Sequence, residues 1–387
     1  SFNYPKHSLR DMVLTRIART KESFKDKVSM LSESSQDSIL HSINNFENFC
    51  MEKYGMVDII PDLKKSSEEE LYDTLQSWIN WNSSKAPSSV LVYFSRLRKY
   101  LHYMGIKLHD QDVKQELNFK HKVEEELYGL TLQDIQSIFK EMRYKNKVQY
   151  MCQLSSSMRI GETVQLRKKN LILGQKNIIV KIPAMIAKFN RARTTFFSKE
   201  ATRLLLPLLK EMNDDDLVFG TSDNPKLSSH VNNTNSQSAT KQVLRLAVKK
   251  AGLTMKYEST GRYMINTHSF RAYGITKLSR LDVNFAKKIA GQKGYLLQYD
   301  RLTDEEKLDL YEKFESELTI DDNAKQKAEI AQFQNEKSEL EKVKNHMKKT
   351  AQFHIDQDSK QGGKQAELYK MILDLKREVV ELKKSKK

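Results

Sequence analysis

Apolar residues recur every three or four positions through much of this chain, the spacing of a helix with one buried face. The period is clearest between 28 and 118. Ile39, Ile43, Phe46 and Phe49 follow the polar start Ser35-Gln36-Asp37. Leu71, Leu75, Trp78 and Ile79 follow Ser66, Ser67 and three acids, which suit a helix N-terminus. After Pro87, a residue that fits a first helical turn, come Val90, Leu91, Phe94, Leu97, Leu101 and Met104. Gly55 and Gly105 are placed to end the first and third of these helices. The opposite face of the third helix carries Arg96, Arg98 and Lys99.

Residues 1–27 are basic and weakly periodic, an arm or a short helix. The polar stretch His109–Glu126 reads as a linker. Thr131 and Asp134 then have the spacing of a capping pair at a new helix start. Two β-branched or aromatic runs predict strands, Asn177–Ile182 and Arg193–Phe197, with AKFNRA as the turn of a hairpin. Helical patterns return at Lys199–Met212 and Lys241–Gly252, with Asn213–Ala239 read as a polar loop. From Asp321 the composition shifts, and Gly362-Gly363 divides two helical stretches. In the second, Leu368, Ile372, Leu375, Val379 and Leu382 form a short heptad seam. In the first, Ile330, Phe333, Leu340 and Met347 fit a seam that Lys337 and Lys344 interrupt. The tail is therefore a solvated helix packed on the body, a coiled coil that self-associates, or a helix that binds a partner. The elements add up to a mainly α chain with a small β-sheet (α+β). The expected divisions are 1–27, a helical domain 28–118, a second domain 119–320 and a helical tail 321–387.

Composition narrows the class. The 387 residues suffice for two or three domains. No apolar run is long enough for a membrane span, and the opening SFNYPKHSLRDMVL lacks the apolar core of a secretion signal. Cys50 and Cys152 form neither a disulfide framework nor a metal-ligand spacing, which points to an intracellular chain without a zinc cluster. The formal charge is +16, and the tail from Asp321 supplies only +4 of it. The excess sits on the folded body, where it suggests a polyanionic partner, most often nucleic acid.

Three places hold candidate chemistry: Ser155–Glu162, Thr267–Arg271 and the Tyr-rich run Gly291–Arg301. Singly, each has a structural reading. Arg159 with Glu162 is the spacing of a helix-surface ion pair. A His-x-x-Arg is common by chance, and Tyr299 could be a core ring. Their order is more specific. Arg159 comes first, then the hairpin with Lys188, then His268 and Arg271, then a tyrosine some 30 residues on.

This ordered set resembles the tyrosine recombinase/integrase family, in which Arg, Lys, His-x-x-Arg, His or Trp, and Tyr occur in that sequence. The resemblance runs from about 28 to 320, and DRLTDEEKLDLYEKF looks most like the archaeal branch. It implies a site-specific DNA recombinase working through a 3′-phosphotyrosyl intermediate, without metal, ATP or other cofactor. Tyr299 would be the nucleophile, with Tyr295 and Tyr311 as rivals. Arg159 and Arg271 would hold the non-bridging oxygens, and Glu162 would orient Arg159. Lys188 would protonate the leaving oxygen, with Lys181 and Lys199 as rivals. His268 would help take the phenolic proton. Gln292 stands where the family usually has His or Trp, and its distance to Tyr299 is shorter than usual. Such a protein would grip duplex DNA as a clamp, with Arg96, Lys99, Lys168, Lys169, Arg191 and Arg193 as phosphate-contact candidates. It would act as a tetramer on two duplexes, with 303–320 passed to a neighbouring subunit and the tail adding contacts. A catalytically silent DNA-binding protein on the same fold is the alternative that Gln292 suggests. A coiled-coil scaffold is a third.

Overall fold

The computed structural model describes residues 19–174, 176–292, 301–321, 340–352 and 370–376. In chain order its helices are α1 Lys21–Val28, α2 Glu33–Tyr54, α3 Ile60–Leu63, α4 Glu68–Trp81, α5 Pro87–Met104, α6 Asp110–Glu116, α7 Leu132–Lys140, α8 Tyr144–Ser156, α9 Ile160–Thr163, α10 Lys199–Leu209, α11 Ser229–Lys250, α12 Thr267–Ser279, α13 Val283–Ala290 and α14 Asp304–Phe314. The strands are β1 Leu171–Ile172, β2 Ile179–Ile182 and β3 Arg193–Phe196. They form one antiparallel sheet in the order β1-β2-β3. The mainly helical fold with a small sheet is the one the residue pattern predicts.

The chain divides into two compact units. One comprises Ser1–Gly129 and Thr221–Asn266, the other Leu130–Gly220 and Thr267–Lys387. In the first, the predicted apolar stripes meet in one core built on Phe46, Leu75, Trp78, Leu97 and Leu101; Leu91, read as part of the third stripe, is exposed instead. Gly55 and Gly105 end α2 and α5 in the left-handed conformation, with φ 70 and 101, which glycine adopts without steric cost. One polar network is buried in this core. Trp78 Nε1 donates to Asn45 Oδ1 (2.9 Å), and Asn82 Nδ2 donates to Asn45 Oδ1 (3.1 Å). Each polar atom so paired avoids the penalty of burial without a partner.

Two stretches depart from the expected elements. The expected linker opens with α6, and Leu117 after it is buried in the core of the first unit. The expected loop 213–239 becomes helix from Ser229, twelve residues before the apolar pattern resumes at Lys241. Ser228 caps α11 by accepting from the Val231 N–H. Its buried positions include Ser236, Thr240, Leu244 and Val248, four apart. The stripe is present, but small polar residues carry half of it.

In the second unit α8 is the central element. Every residue from Val148 to Ser156 is buried. Phe139 and Tyr150 pack on Phe270 of α12, and Thr195 Oγ1 of β3 donates to the Ser156 carbonyl (2.7 Å). Residues 303–320, the segment expected to reach a neighbouring subunit, pack on their own unit in this single chain. Tyr311 of α14 is fully buried and donates to the Ser155 carbonyl (2.8 Å). Lys277 pairs with Glu317 (3.1 Å), and the Ile320 N–H donates to Glu200 (2.8 Å). Of the tail, 340–352 and 370–376 are helical, with Leu340, Val343, Met347, Ile372 and Leu375 exposed. Ile330, Phe333, Leu368, Val379 and Leu382 lie outside the described residues.

Gly274 lets α12 approach α8. A Cβ there would lie 2.2 Å from the Leu154 carbonyl oxygen and 2.9 Å from Ser157 Oγ. Gly274→Ala should therefore destabilise the second unit by about 1–3 kcal/mol, the usual cost of overpacking. Urea unfolding measures this, and an unchanged midpoint would show that the two helices have slack.

Candidate active site

The site is built where three chain turns meet in the second unit. α8 ends at Ser157, which takes the left-handed conformation with φ 52. Two residues later Arg159 starts α9, and Glu162 lies one turn on. Glu162 is buried to 2% exposure. Its Oε2 accepts from the Arg159 backbone N–H (2.8 Å), and its Oε1 accepts from Arg159 Nη1 (3.2 Å). Arg193 of β3 adds a fork: Nη1 donates to Oε1 (3.0 Å) and Nη2 to Oε2 (2.6 Å). Burial alone would raise the Glu162 carboxyl. The Arg193 bonds and charge, then those of Arg159, outweigh it and hold the group below its ordinary value.

Arg271 of α12 is 2% exposed. It has no carboxylate in bonding contact among the described residues. Its Nη1 donates to the Ser157 carbonyl and its Nη2 to the Ala290 carbonyl (2.7 Å). These are the C-terminal ends of α8 and α13, where helix dipoles place negative charge. Burial first, and the Arg159 charge second, push this guanidinium down to about 9, so it remains protonated at neutral pH. Three guanidiniums thus gather near one carboxylate, which bonds two of them and only offsets the charge of Arg271. Such an excess of positive charge away from water fits an anion that arrives from outside.

His268 lies one helical turn before Arg271, at the exposed end of α12. Loss of hydration, then the charges of Arg271 and Arg159, hold its imidazole below the ordinary value. Gln292 follows Gly291, the left-handed cap of α13, and is exposed; its backbone N–H donates to the Lys287 carbonyl (2.9 Å). Lys188 is exposed on the β2–β3 connection, its Nζ 5.2 Å from the Phe189 ring centroid. No carboxylate pairs with it among the described residues. Its rivals are engaged. Lys181 binds Asp304, and Lys199 binds Glu315 (3.2 Å) and Glu312 (3.5 Å). Tyr299 and Tyr295 lie outside the described residues. Tyr311 is withdrawn from solvent, and burial pushes its phenol up.

The geometry thus joins Arg159, Glu162, Arg193 and Arg271, with His268 alongside; it leaves Lys188 and Gln292 exposed near the chain turns that carry them. Of the phosphate-contact candidates, Lys99 and Arg191 are exposed, and Arg96 Nη1 lies 3.5 Å from the Ser38 carbonyl. Lys168 donates to the Met212 carbonyl (2.5 Å) and Lys169 pairs with Asp215 (2.5 Å). Arg193 is only 9% exposed.

A further cationic cluster lies in the first unit and escaped the sequence reading. Arg245 Cζ is 5.2 Å and Lys256 Nζ 4.9 Å from the Tyr263 ring centroid. Arg245, by hydrogen bond and charge, then Lys256 and Lys249, hold the Tyr263 phenol low. Among the described residues no carboxylate pairs with Arg245, Lys249 or Lys256. The signal that could have found it is local charge: 221–266 holds seven Lys/Arg against two acids.

The depressed imidazole has a consequence for pH. The unfolded chain takes up the His268 proton near 6.5, the folded chain only at lower pH. Between those points unfolding binds a proton, so stability falls as pH drops and is intact above 6.5. An NMR titration should place His268 below 6.5, and His268→Asn should remove that part of the acid slope in urea midpoints. A midpoint at or above the ordinary value would contradict the geometry.

Residues 129–292 match the phage integrase family. No curated protein matches the chain. Among solved structures, a lambda integrase dimer bound to a COC′ core site is 12% identical, covering 73% of this chain and 79% of that one, with a TM-score of 0.51. The XerH site-specific recombinase bound to its difH substrate is 15% identical, covering 73% and 81%, with a TM-score of 0.47. The integrase from mycobacterium phage Brujita is 12% identical, covering 76% and 91%, with a TM-score of 0.38. The lambda integrase likeness is one of fold. Among the described residues no helix is long and apolar enough to cross a membrane. Over residues 129–292 the sequence is thus similar to the phage integrase family.

Proposed function

We propose that this protein cuts and rejoins duplex DNA at specific sites through a covalent 3′-phosphotyrosyl intermediate. The observation that carries the reading is the buried group of three arginines around one carboxylate, an anion site short of negative charge. Arg159, with its side chain 26% exposed, is the member that meets solvent. Arg271 spends two of its five donors on backbone carbonyls and keeps three. Together they would hold the two non-bridging oxygens and stabilise the charge that gathers as phosphorus becomes five-coordinate.

The Tyr299 phenolic oxygen attacks phosphorus, and the bond to the 5′ oxygen breaks. The phenolic proton passes towards His268, which is poised neutral to accept it, and Lys188 gives a proton to the departing 5′ oxygen. Gln292 donates a hydrogen bond to the phosphate. The phosphotyrosine bond stores the energy of the linkage it replaced, so a second 5′-hydroxyl can attack it without ATP. Side chains supply the positive charge, and no metal or cofactor is called on. Functionally, 28–118 and 119–320 would both grip DNA, as Lys/Arg side chains displace condensed counterions. Arg96, Lys99 and Arg191 are candidate contacts, joined by Arg245, Lys249 and Lys256. Lys168 and Lys169 would have to leave their present partners. A tetramer on two duplexes is the assembly such a strand exchange needs, and the exposed apolar residues of 340–352 and 370–376 support self-association through the tail.

A nicked suicide substrate carrying the cognate site should trap a protein–DNA adduct. Tyr299→Phe should abolish it, whereas Tyr311→Phe should keep it and lower stability. Binding without any adduct would favour a catalytically silent DNA-binding protein. Lys188→Ala should slow cleavage by about 10²–10⁴-fold, the usual worth of a proton donor. A 5′-bridging phosphorothiolate, whose leaving sulfur needs no proton, should restore the rate; no restoration would assign the proton to another group. Truncation before Asp321 should reduce association in sedimentation while leaving the adduct intact.

The cationic cluster makes a separate prediction. Arg245→Ala and Lys249→Ala should each weaken binding on all sequences alike. Each should also reduce the slope of log affinity against log salt by about one. An unchanged slope would remove these residues from the DNA interface.

A further inference from the structure

We infer that Arg193 is a positioning residue, the counter-ion that keeps Glu162 from capturing Arg159, and not a phosphate contact. The inference rests on the recombinase reading above. Glu162 needs a cation to be buried at all, because an unpaired carboxylate away from water is costly. Two arginines offer themselves. Arg159 reaches only one carboxylate oxygen with its side chain, at 3.2 Å. Arg193 takes both, at 3.0 and 2.6 Å. That fork is the stronger, geometrically matched pairing, and it leaves most of the Arg159 donors uncommitted. Without Arg193, Arg159 becomes the only cation bonded to the carboxylate, and its donors turn inward.

The same guanidinium reaches a third element. Its Nε donates to the Ile289 carbonyl (3.0 Å) at the end of α13. The turn that follows is built around it: a Cβ on Gly291 would lie 2.9 Å from the Arg193 Cδ, Nε and Cζ atoms. Gly291 has φ 64, so glycine is required there twice, for the backbone and for the arginine. One side chain therefore ties β3 to the start of α9 and to the turn that leads to Gln292. The ammonium of lysine could not make this three-way contact, since its donors do not lie in a planar fork. With three of its five donors spent and 9% of its side chain exposed, Arg193 has little left for DNA.

The test is single-turnover adduct formation on the nicked substrate at saturating DNA, with affinity and its salt dependence measured alongside. Arg193→Lys should slow cleavage by about 10- to 100-fold, the order that a small misplacement of a reacting group produces. Affinity should stay within about twofold and the salt slope should not move. Arg193→Gln should be slower still, and the double variant R193Q/E162Q should be faster than R193Q alone, because the carboxylate that captures Arg159 is gone. Should R193Q fail to fold by circular dichroism, R193K with R193K/E162Q carries the same comparison. A lowered salt slope with full cleavage at saturation would make Arg193 a phosphate contact. A double variant no faster than the single would also overturn the inference. If the wild-type chain forms no adduct on DNA it binds, the recombinase reading fails instead. The salt slope of R193Q then decides: unchanged upholds the buried role, lowered by about one overturns it.

Discussion

A single carboxylate sets the geometry of this site. Glu162 is buried, and it can be so only because four N–H donors from two arginines converge on it. That requirement places the first turn of α9 against β3, and β3 against the end of α13. Arg271 cannot share this carboxylate and is neutralised differently, by carbonyls at two helix ends. Partial charges at helix ends offset a cation without cancelling it. The site is therefore satisfied in its hydrogen bonds yet still positive in charge, which is what an enzyme acting on a phosphodiester requires of its resting state.

Much of this was legible in the sequence where one periodicity dominates. Phe46, Leu75, Trp78 and Leu97 lie in the helical core because an amphipathic stripe has only one way to be buried. Two strands of the sheet were legible, as Ile179–Ile182 and Arg193–Phe196 are mostly β-branched or aromatic; β1, two residues long, carries too short a pattern to be read. The early start of α11 was not, since Ser236 and Thr240 occupy stripe positions that a hydrophobicity pattern counts as surface. Small hydroxyl residues can line a buried face when their oxygens find partners, and no apolar count registers that. Nor was α6 legible, because its seven residues are mostly charged or amide and its anchor, Leu117, comes after the helix ends.

The site residues divide along the same line. Arg159, Glu162, His268 and Arg271 were singled out by the order that resembles the recombinase family, and the fold brings the first two together with Arg271, His268 alongside. Arg193 looked like one more cation in a basic turn, next to Arg191. Nothing local to a strand says which distant carboxylate it faces. Its role depends on the register that sets Ile182 opposite Arg193 and on β3 packing against the end of α8. The cluster around Tyr263 was obscure for a related reason. Arg245 sits in a helix and Lys256 beyond it, and only the bridge between Lys256 and Tyr263 brings them to one ring.

The division between buried and exposed groups has its own logic. The guanidiniums proposed to meet developing charge are held by helix ends and a buried carboxylate, where reorganisation on reaction would be smallest. The groups assigned to proton movement, Lys188 and His268, are exposed. The proposed proton donor for the leaving oxygen, Lys188, lies on an exposed connection and not in the core. The connection bears the marks of that placement. Phe189 and Asn190 hold φ values of 69 and 51, a conformation that costs a non-glycine residue of order 1–2 kcal/mol. Strands β2 and β3, paired over four residues each, pin both ends and sustain that cost. The lysine on this connection pairs with no carboxylate among the described residues. An ammonium so placed can meet a phosphate without first breaking an ion pair, which Lys181 and Lys199 could not do.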